Sequence, residues 1–429
     1  MEFSETLSYL LSLGHETLAM KLGLRNTELL LEALGNPHHS FASVQIAGTN
    51  GKGSTAAMLD SICRLAGLRT GLFTSPHLIS ITERIKIAGE DISEAEFARF
   101  GTRVREAAES LVAQGRLQAL PTFFEHVTAI ALLAFKEAGV EIAILETGLG
   151  GRLDATTVAG ADVVAITPIA LDHQDYLGAT LAEIAGEKAA IIRPGTTAII
   201  AAQKEEASEV IRQRAAACDV EPSITDYQST IDAVTADGRF TVTLQTKRER
   251  YESVSIGLGG RHQIENAATA IRIAEALNQK GRRIPVSAIV DGIATARHAG
   301  RLERVDSYLL DGAHNPAAAL TLVAYLDEFV NVPVTLVFGA MRDKNLVEMA
   351  AILFPAAARL VLTQADNPRS ASAEELEEIA RAMNVPNFFV TRSISEALTK
   401  ANEVTSPPGL ICVTGSLYLL GEAKALLNA

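Results

Sequence analysis

Gly48-Thr49-Asn50-Gly51-Lys52-Gly53-Ser54 decides the reading of this chain. A short apolar run, Val44, Ile46 and Ala47, precedes it. A helical pattern follows, with Ala57, Met58, Ile62, Leu65 and Ala66 closed by Gly67. Strand, glycine-rich turn and helix, then a second strand at 69–73, open a parallel α/β sheet. Glycines let the backbone turn tightly and aim successive N–H groups at an anion. The helix N-terminus adds partial positive charge, and Lys52 adds a full one. The spacing departs from the strict P-loop, G-x-x-x-x-G-K-[ST]. The first glycine is two residues too close, and Gly53 separates Lys52 from Ser54. A turn that binds nothing is the competing reading; three glycines, a lysine and a hydroxyl between strand and helix weigh against it.

Outward from this unit, short apolar runs at 141–145, 162–167 and 198–201 read as further strands separated by helices. The first forty residues read as helical, through Leu7, Leu10, Leu11 and Leu29, Leu30, Leu34. Residues 227–256 differ: Phe240, Val242 and Leu244 alternate with polar residues after Asp237-Gly238. That pattern predicts an antiparallel hairpin at one edge of the sheet. A basic stretch at 296–304 reads as a link between domains. Beyond it, five strands are expected at 307–310, 334–338, 360–363, 388–391 and 410–414. The fold class is therefore α/β. A mostly parallel, P-loop-containing domain is expected at 1–296, and a smaller Rossmann-like domain at 297–429.

The chain has 429 residues, 48% hydrophobic and 21% charged, which is ordinary globular composition. Its net charge of -13 argues against nucleic-acid binding, which rests on clustered Lys and Arg. The three cysteines, Cys63, Cys218 and Cys412, are isolated, so no zinc ribbon or disulfide framework is indicated. No run of about 18 apolar residues occurs. The N-terminal MEFSETLSYL lacks the basic start of a signal peptide. These features lead us to expect a cytoplasmic protein without a membrane partner.

Polar residues just past strand ends are the next candidates, because open α/β sheets bind ligands at the carboxyl ends of their strands. Ser75 and His77, Glu146, and Asp172 with His173 stand at such places. A hydroxyl, a carboxylate and an imidazole converging near the loop suit a Mg2+ ion on nucleotide phosphates, although imidazole is an unusual ligand for a hard cation. Gly148-Leu149-Gly150-Gly151-Arg152 lacks the third glycine of a dinucleotide fingerprint, so NAD is discounted. Phe123 and Phe124, before Glu125, suit either a core or a stacking surface, with the core favoured on composition. Lys188 reads as a surface charge on composition alone. In the second domain, Asp311 and His314 lie in a strand–helix turn, where Asn315 or a neighbour can cap the helix. The functional reading is that Asp311 and His314 meet a ligand lying between the domains, whose phosphates Arg301, in the link, can also reach.

Taken in order, GTNGKGS, TSPHL (74–78), LETGLGGRLDAT (145–156), ALDHQDYLG (170–178), EKAAIIRPG (187–195), GRHQIENAATA (260–270), GRLE (300–303) and DGAHNPAA (311–318) resemble one family. It is that of folylpolyglutamate synthase and dihydrofolate synthase, in the Mur ligase superfamily. The resemblance runs from about Tyr9 to the C-terminus, and the glycine after Lys52 is typical of it. It implies an ATP-dependent ligase that adds L-glutamate to dihydropteroate, to reduced folates, or to both, through an acyl phosphate. Asn50, Gly51, Lys52, Gly53, Ser54, Asn266, Arg301, Asp311 and His314 would bind ATP. Ser75, Glu146 and His173 would hold Mg2+. Lys52, Glu146, His173 and Lys188 would be the catalytic set, with Lys188 N6-carboxylated. Thr122, Phe123, Phe124, Glu125, Leu153, Asp154 and Ala155 would line a pterin pocket. The family further implies a monomer.

Three rivals remain. A cell-wall Mur ligase would carry a separate UDP-sugar domain, and only 47 residues precede Gly48. A plain P-loop ATPase or kinase would not need DGAHN or Arg301. A non-catalytic nucleotide module would not need Glu146 and His173. Within the family, a monofunctional folylpolyglutamate synthase, or a ligase for another carboxylate, stays open.

Overall fold

The structure is a computed structural model that describes residues 1–14 and 23–428. Helices Phe3–Ser12 and Arg25–Ala33 account for the N-terminal leucine pattern, and the helical expectation over 15–22 lies outside the described residues. No helix among the described residues is long and apolar enough to cross a membrane.

The first sheet has eight strands: β1 (Ala42–Ala47), β2 (Thr70–Phe73), β3 (Ile85–Ile87), β4 (Glu90–Asp91), β5 (Ile142–Glu146), β6 (Val163–Ile166), β7 (Thr197–Ile200) and β8 (Ser223–Ile224). Their order is β4-β3-β2-β5-β1-β6-β7-β8. All neighbours are parallel except β2–β3 and β3–β4. β1 lies between β5 and β6, with Val44 opposite Ile144 on one side and Val163 on the other. A strand so placed is buried on both faces, and five of the six residues of β1 are buried accordingly. The turn that leaves its carboxyl end therefore opens at the middle of the sheet, where strand order reverses.

The segment after β8 forms β9 (Gln228–Val234), β10 (Phe240–Gln245) and β11 (Arg250–Ser255). They make a separate antiparallel sheet, β11-β10-β9, and do not extend an edge of the first sheet as expected. The reason lies in the alternating side chains. Phe240, Val242, Leu244, Tyr251 and Val254 share one core with the helices His262–Gln279, Val286–Thr295 and Lys52–Leu65. An apolar face of that size is worth more against helices than one added row of backbone pairing.

The second α/β sheet has six strands, one more than expected: β12 (Glu303–Val305), β13 (Tyr308–Asp311), β14 (Val334–Phe338), β15 (Arg359–Leu362), β16 (Phe388–Val390) and β17 (Leu410–Thr414). Their order is β12-β13-β17-β14-β15-β16, with β12 the antiparallel edge. β12 occupies part of the stretch read as a link, because a polar edge strand leaves no apolar signature.

The two sheets meet through a close backbone contact. Leu78, in the TSPHL loop, packs against the core of the second domain. A Cβ at Gly421, in the helix Leu417–Leu427, would sit 1.9 Å from the Leu78 carbonyl oxygen. Gly421→Ala is expected to destabilise the protein by about 1–3 kcal/mol, the usual cost of overpacking. A urea unfolding midpoint equal to wild type would contradict this.

Candidate active site

Each glycine of the loop has a physical reason. Gly48 has φ +148, and a Cβ there would lie 1.8 Å from Thr167 Oγ1. Gly51, at φ +88, precedes the helix, and its Cβ would lie 2.4 Å from Asn266 Oδ1. A Cβ at Gly53 would meet His298 Nε2 at 2.6 Å and Glu146 Oε2 at 3.5 Å. The extra glycine between Lys52 and Ser54 thus lets Glu146 and the interdomain segment approach the first helical turn. Gln263 Nε2 donates to Ser54 Oγ at 3.4 Å, and Asn266 Nδ2 donates to Gln263 Oε1 at 2.9 Å. The helix His262–Gln279 therefore backs the loop.

Two lysines point at one carbonyl. Lys52 Nζ donates to Gly48 O at 3.2 Å and Thr49 O at 3.1 Å. Lys188 Nζ donates to Gly48 O at 2.7 Å. Burial lowers the Lys52 pKa, opposed by Glu146 and Asp172. Burial, and then the Lys52 charge, bring Lys188 down to about 7. Lys188 is buried, so the composition-based reading of a surface charge is corrected. The helix Leu181–Ala189 turns this residue inward.

Glu146 ends β5 and lies beside the loop. Its Oε2 accepts the Ser75 N–H at 3.2 Å. Burial raises its pKa against the pull of Lys52 and Arg301. His173 stands after β6 in the left-handed region, at φ 51. Such a conformation in a non-glycine residue marks a position over-determined by its surroundings. His173 Nε2 lies 3.3 Å from Lys344 Nζ, and among the described residues its Nδ1 is buried without a hydrogen-bond partner. Burial and the nearby Lys344 charge bring this imidazole down to about 3. Among the described residues no three His, Cys, Asp or Glu side chains gather into a metal cluster.

The second domain contributes the loops after β13, β14 and β15. Asp311 accepts backbone N–H groups from Leu302 and Ala313, both at 3.0 Å. Burial raises its pKa, offset by Arg301. Both carboxylate oxygens are thus engaged in holding the turn. Arg301 Nη1 donates to Gly312 O at 3.4 Å, and His314 Nδ1 donates to the same oxygen at 2.7 Å. Asn315 caps the helix Pro316–Phe329 by accepting the Ala318 N–H at 2.9 Å. Lys344 and Arg369 line the same cavity from this side. Sequence reasoning missed both, although both follow strand carboxyl ends and the rule applied to the first domain would have found them.

Of the residues expected to line a pterin pocket, Thr122, Phe124, Glu125, Leu153, Asp154 and Ala155 border the cavity. Phe123 does not. It is buried with Val127 and Ile130, so the core reading holds for it, and only Phe124 offers a ring. Thr122 and Glu125 form a capping box on the helix Phe123–Glu137, and Glu125 Oε1 also accepts from Thr27 Oγ1 at 3.0 Å. Asp154 Oδ2 accepts the Gly148 and Leu149 N–H groups at 2.9 and 3.0 Å. The N–H groups of Gly148 and Leu149 in that glycine-rich turn thus hold a carboxylate of their own chain.

The glycine loop, Ser75, Glu146, His173, Lys188, Arg301, His314 and Lys344 border one cavity of about 600 Å³ between the two domains. Residues 46–274 match the family model of the Mur ligase middle domain, and residues 300–417 that of the Mur ligase glutamate ligase domain. The chain is 37% identical, over 99% of its length, to a probable bifunctional folylpolyglutamate synthase/dihydropteroate synthase of Haloferax volcanii, and it spans 50% of that relative. It thus spans about half the length of that relative. With the dihydrofolate synthase/folylpolyglutamate synthase of Bacillus subtilis it shares 34% identity over 97% of each chain. It superposes on Mycobacterium tuberculosis folylpolyglutamate synthase complexed with ADP and AMPPCP with a TM-score of 0.92. That match has 32% identity and covers 100% of this chain and 99% of the other.

Proposed function

The chain belongs to the Mur ligase family, in the branch of folylpolyglutamate and dihydrofolate synthases, and we propose that it is an ATP-dependent carboxylate–amine ligase. It adds L-glutamate to dihydropteroate, to reduced folates, or to both. One observation carries this reading: the glycine loop with Lys52, the buried Lys188, Glu146 and the second domain's Arg301 and His314 border a single cavity that reaches Phe124 and Leu153. Clefts of that size between domains are the usual place for small substrates. We take 1–296 and 297–429 as the two working bodies, acting as a cytoplasmic monomer.

The chemistry follows from the groups present. A carboxylate does not react with an amine directly, because it offers no good leaving group. An oxygen of the acceptor carboxylate attacks the γ-phosphorus of ATP, ADP leaves, and an acyl phosphate forms. The glutamate α-amine attacks the acyl carbon, phosphate leaves with that oxygen, the nitrogen loses a proton, and an amide remains. Asn50, Gly51, Gly53 and Ser54 cradle the phosphates, while Lys52 meets charge that develops on the moving group. Asn266 supports the loop, and Asp311 acts through the turn that aims Arg301 and His314. Phe124 stacks on the flat ring of the acceptor.

Ser75, Glu146 and His173 suit a Mg2+ ion, whose bound role would be to neutralise phosphate charge. One hydroxyl, one buried carboxylate and one imidazole do not make an all-protein cage. Mg2+ on a nucleotide does not need one, because phosphates and water fill the remaining places.

We also assign N6-carboxylation to Lys188. Its amine, with a pKa brought to about 7, is half neutral near that pH. The neutral nitrogen attacks CO2, releasing one proton and leaving a carbamate. Because protonation blocks the attack, occupancy falls as pH drops through about 7. Protein in 13C-bicarbonate is expected to give a carbamate NMR resonance that fades below that pH and is missing from Lys188→Ala. A wild-type spectrum without it would refute the assignment.

Acyl phosphate formation is tested with an acceptor carrying 18O in its carboxylate. One 18O is expected in the phosphate released per amide formed. Unlabelled phosphate would rule this chemistry out.

A further inference from the structure

Asp172 stands after β6, one residue before His173, and the second domain surrounds it. Its Oδ1 accepts from Lys344 Nζ at 2.5 Å. Its Oδ2 accepts from Asn315 Nδ2 at 3.1 Å and lies 3.6 Å from His314 Nε2. Its remaining hydrogen bond is local: Oδ1 accepts the His173 N–H at 2.8 Å. One carboxylate of the first domain is thus gripped by three side chains from two loops of the second. The grip continues into the phosphate loop. Asn315 Nδ2 donates to Asn50 Oδ1 at 3.1 Å, and Asn50 Nδ2 donates back to Asn315 Oδ1 at 3.4 Å.

The Asp172–Lys344 pair is enclosed. Asp172 and Lys344 have side chains 6% exposed. A paired charge at such a site is costly to separate, because each partner would be left desolvated and alone. Burial alone would raise the Asp172 pKa, but the neighbouring His314 imidazole and the Lys344 charge hold it well below the usual range.

We propose that Asp172 is a positioning residue, a latch that holds the second domain over the phosphate loop so that water does not reach the acyl phosphate before glutamate does. The inference rests on the ligase reading above. It adds a specific failure mode. With the latch open, water attacks the acyl carbon, phosphate leaves, the carboxylate is regenerated with loss of one proton, and ATP is spent without an amide.

The test uses the whole chain with Asp172→Asn, Lys344→Met and the double variant. Phosphate released per amide formed is measured with Mg-ATP, glutamate and an acceptor. The expected result is about one for wild type and roughly tenfold more for each variant, the shift that about 1.4 kcal/mol against closure would produce. The double variant should match the singles, because each removes the same contact. A lower rate with the ratio still near one would overturn the latch and leave Asp172 a structural support. If Asp172→Asn does not fold, Lys344→Met carries the test from the other side. Should wild type make no amide, the ligase reading fails by itself. The latch is then judged by small-angle scattering. A larger radius of gyration in the variants supports it, and unchanged radii overturn it.

Discussion

Lys52→Met is expected to lower amide formation by about 10²–10³-fold with the fold intact, the usual loss when one preorganised donor to developing charge is removed. The residue is placed for it. Lys52 opens the helix that leaves the loop, and its ammonium rests on the Gly48 and Thr49 carbonyls. Those contacts are weak competitors for a phosphate carrying full negative charge. Methionine keeps the length and apolar stem, so packing against the loop survives. The loss should fall mainly on turnover, because charge on the phosphoryl group is greatest in the transition state. Steady-state rates with a thermal melt decide it. A loss under tenfold with an unchanged melt would remove Lys52 from the chemistry.

Gly48→Ala is expected to be worse for the protein as a whole. The residue leaves β1 at φ +148, where only glycine is at ease, and the added carbon would sit 1.8 Å from Thr167 Oγ1. Thr167 cannot yield easily, since its hydroxyl donates to Ala47 O at 3.2 Å. Backbone strain and overpacking together come to about 2–5 kcal/mol. The loop either distorts or the sheet loses stability, and nucleotide binding suffers in both cases. Urea unfolding and titration with an ATP analogue are the measurements. Wild-type midpoint and affinity together would contradict the steric argument.

What the sequence revealed follows from the range of the physics involved. The β1 strand, loop and helix are encoded within about 20 consecutive residues, so periodicity and glycine placement reach them directly. One rule about strand ends singles out Ser75, Glu146 and His173, and all three line the same cavity as the loop. Lys344 and Arg369 obey the same rule but stand far along the chain, and nothing local marks Lys344 as facing Asp172 or Arg369 as lining the cavity. The separate β9–β11 sheet could not be placed from its pattern, because alternation says that one face is covered but not by what. Phe123 and Phe124 show the same limit. They are neighbours of one type on one helix turn, about 100° apart, and only the packing decides that one enters the core and the other the cavity. Lys188 looked like any lysine until the fold buried it against Gly48. The family resemblance suggests a role for it, and the geometry adds its burial and its hydrogen bond to Gly48 O.

The central claim is that this cavity joins glutamate to a folate-type carboxylate at the expense of ATP. It is tested most directly by incubating the protein with Mg-ATP and labelled glutamate, with dihydropteroate and tetrahydrofolate offered separately. The account predicts labelled amide and equimolar ADP with at least one acceptor, and product with both would make the enzyme bifunctional. No amide with either acceptor, in protein that binds ATP, would contradict it.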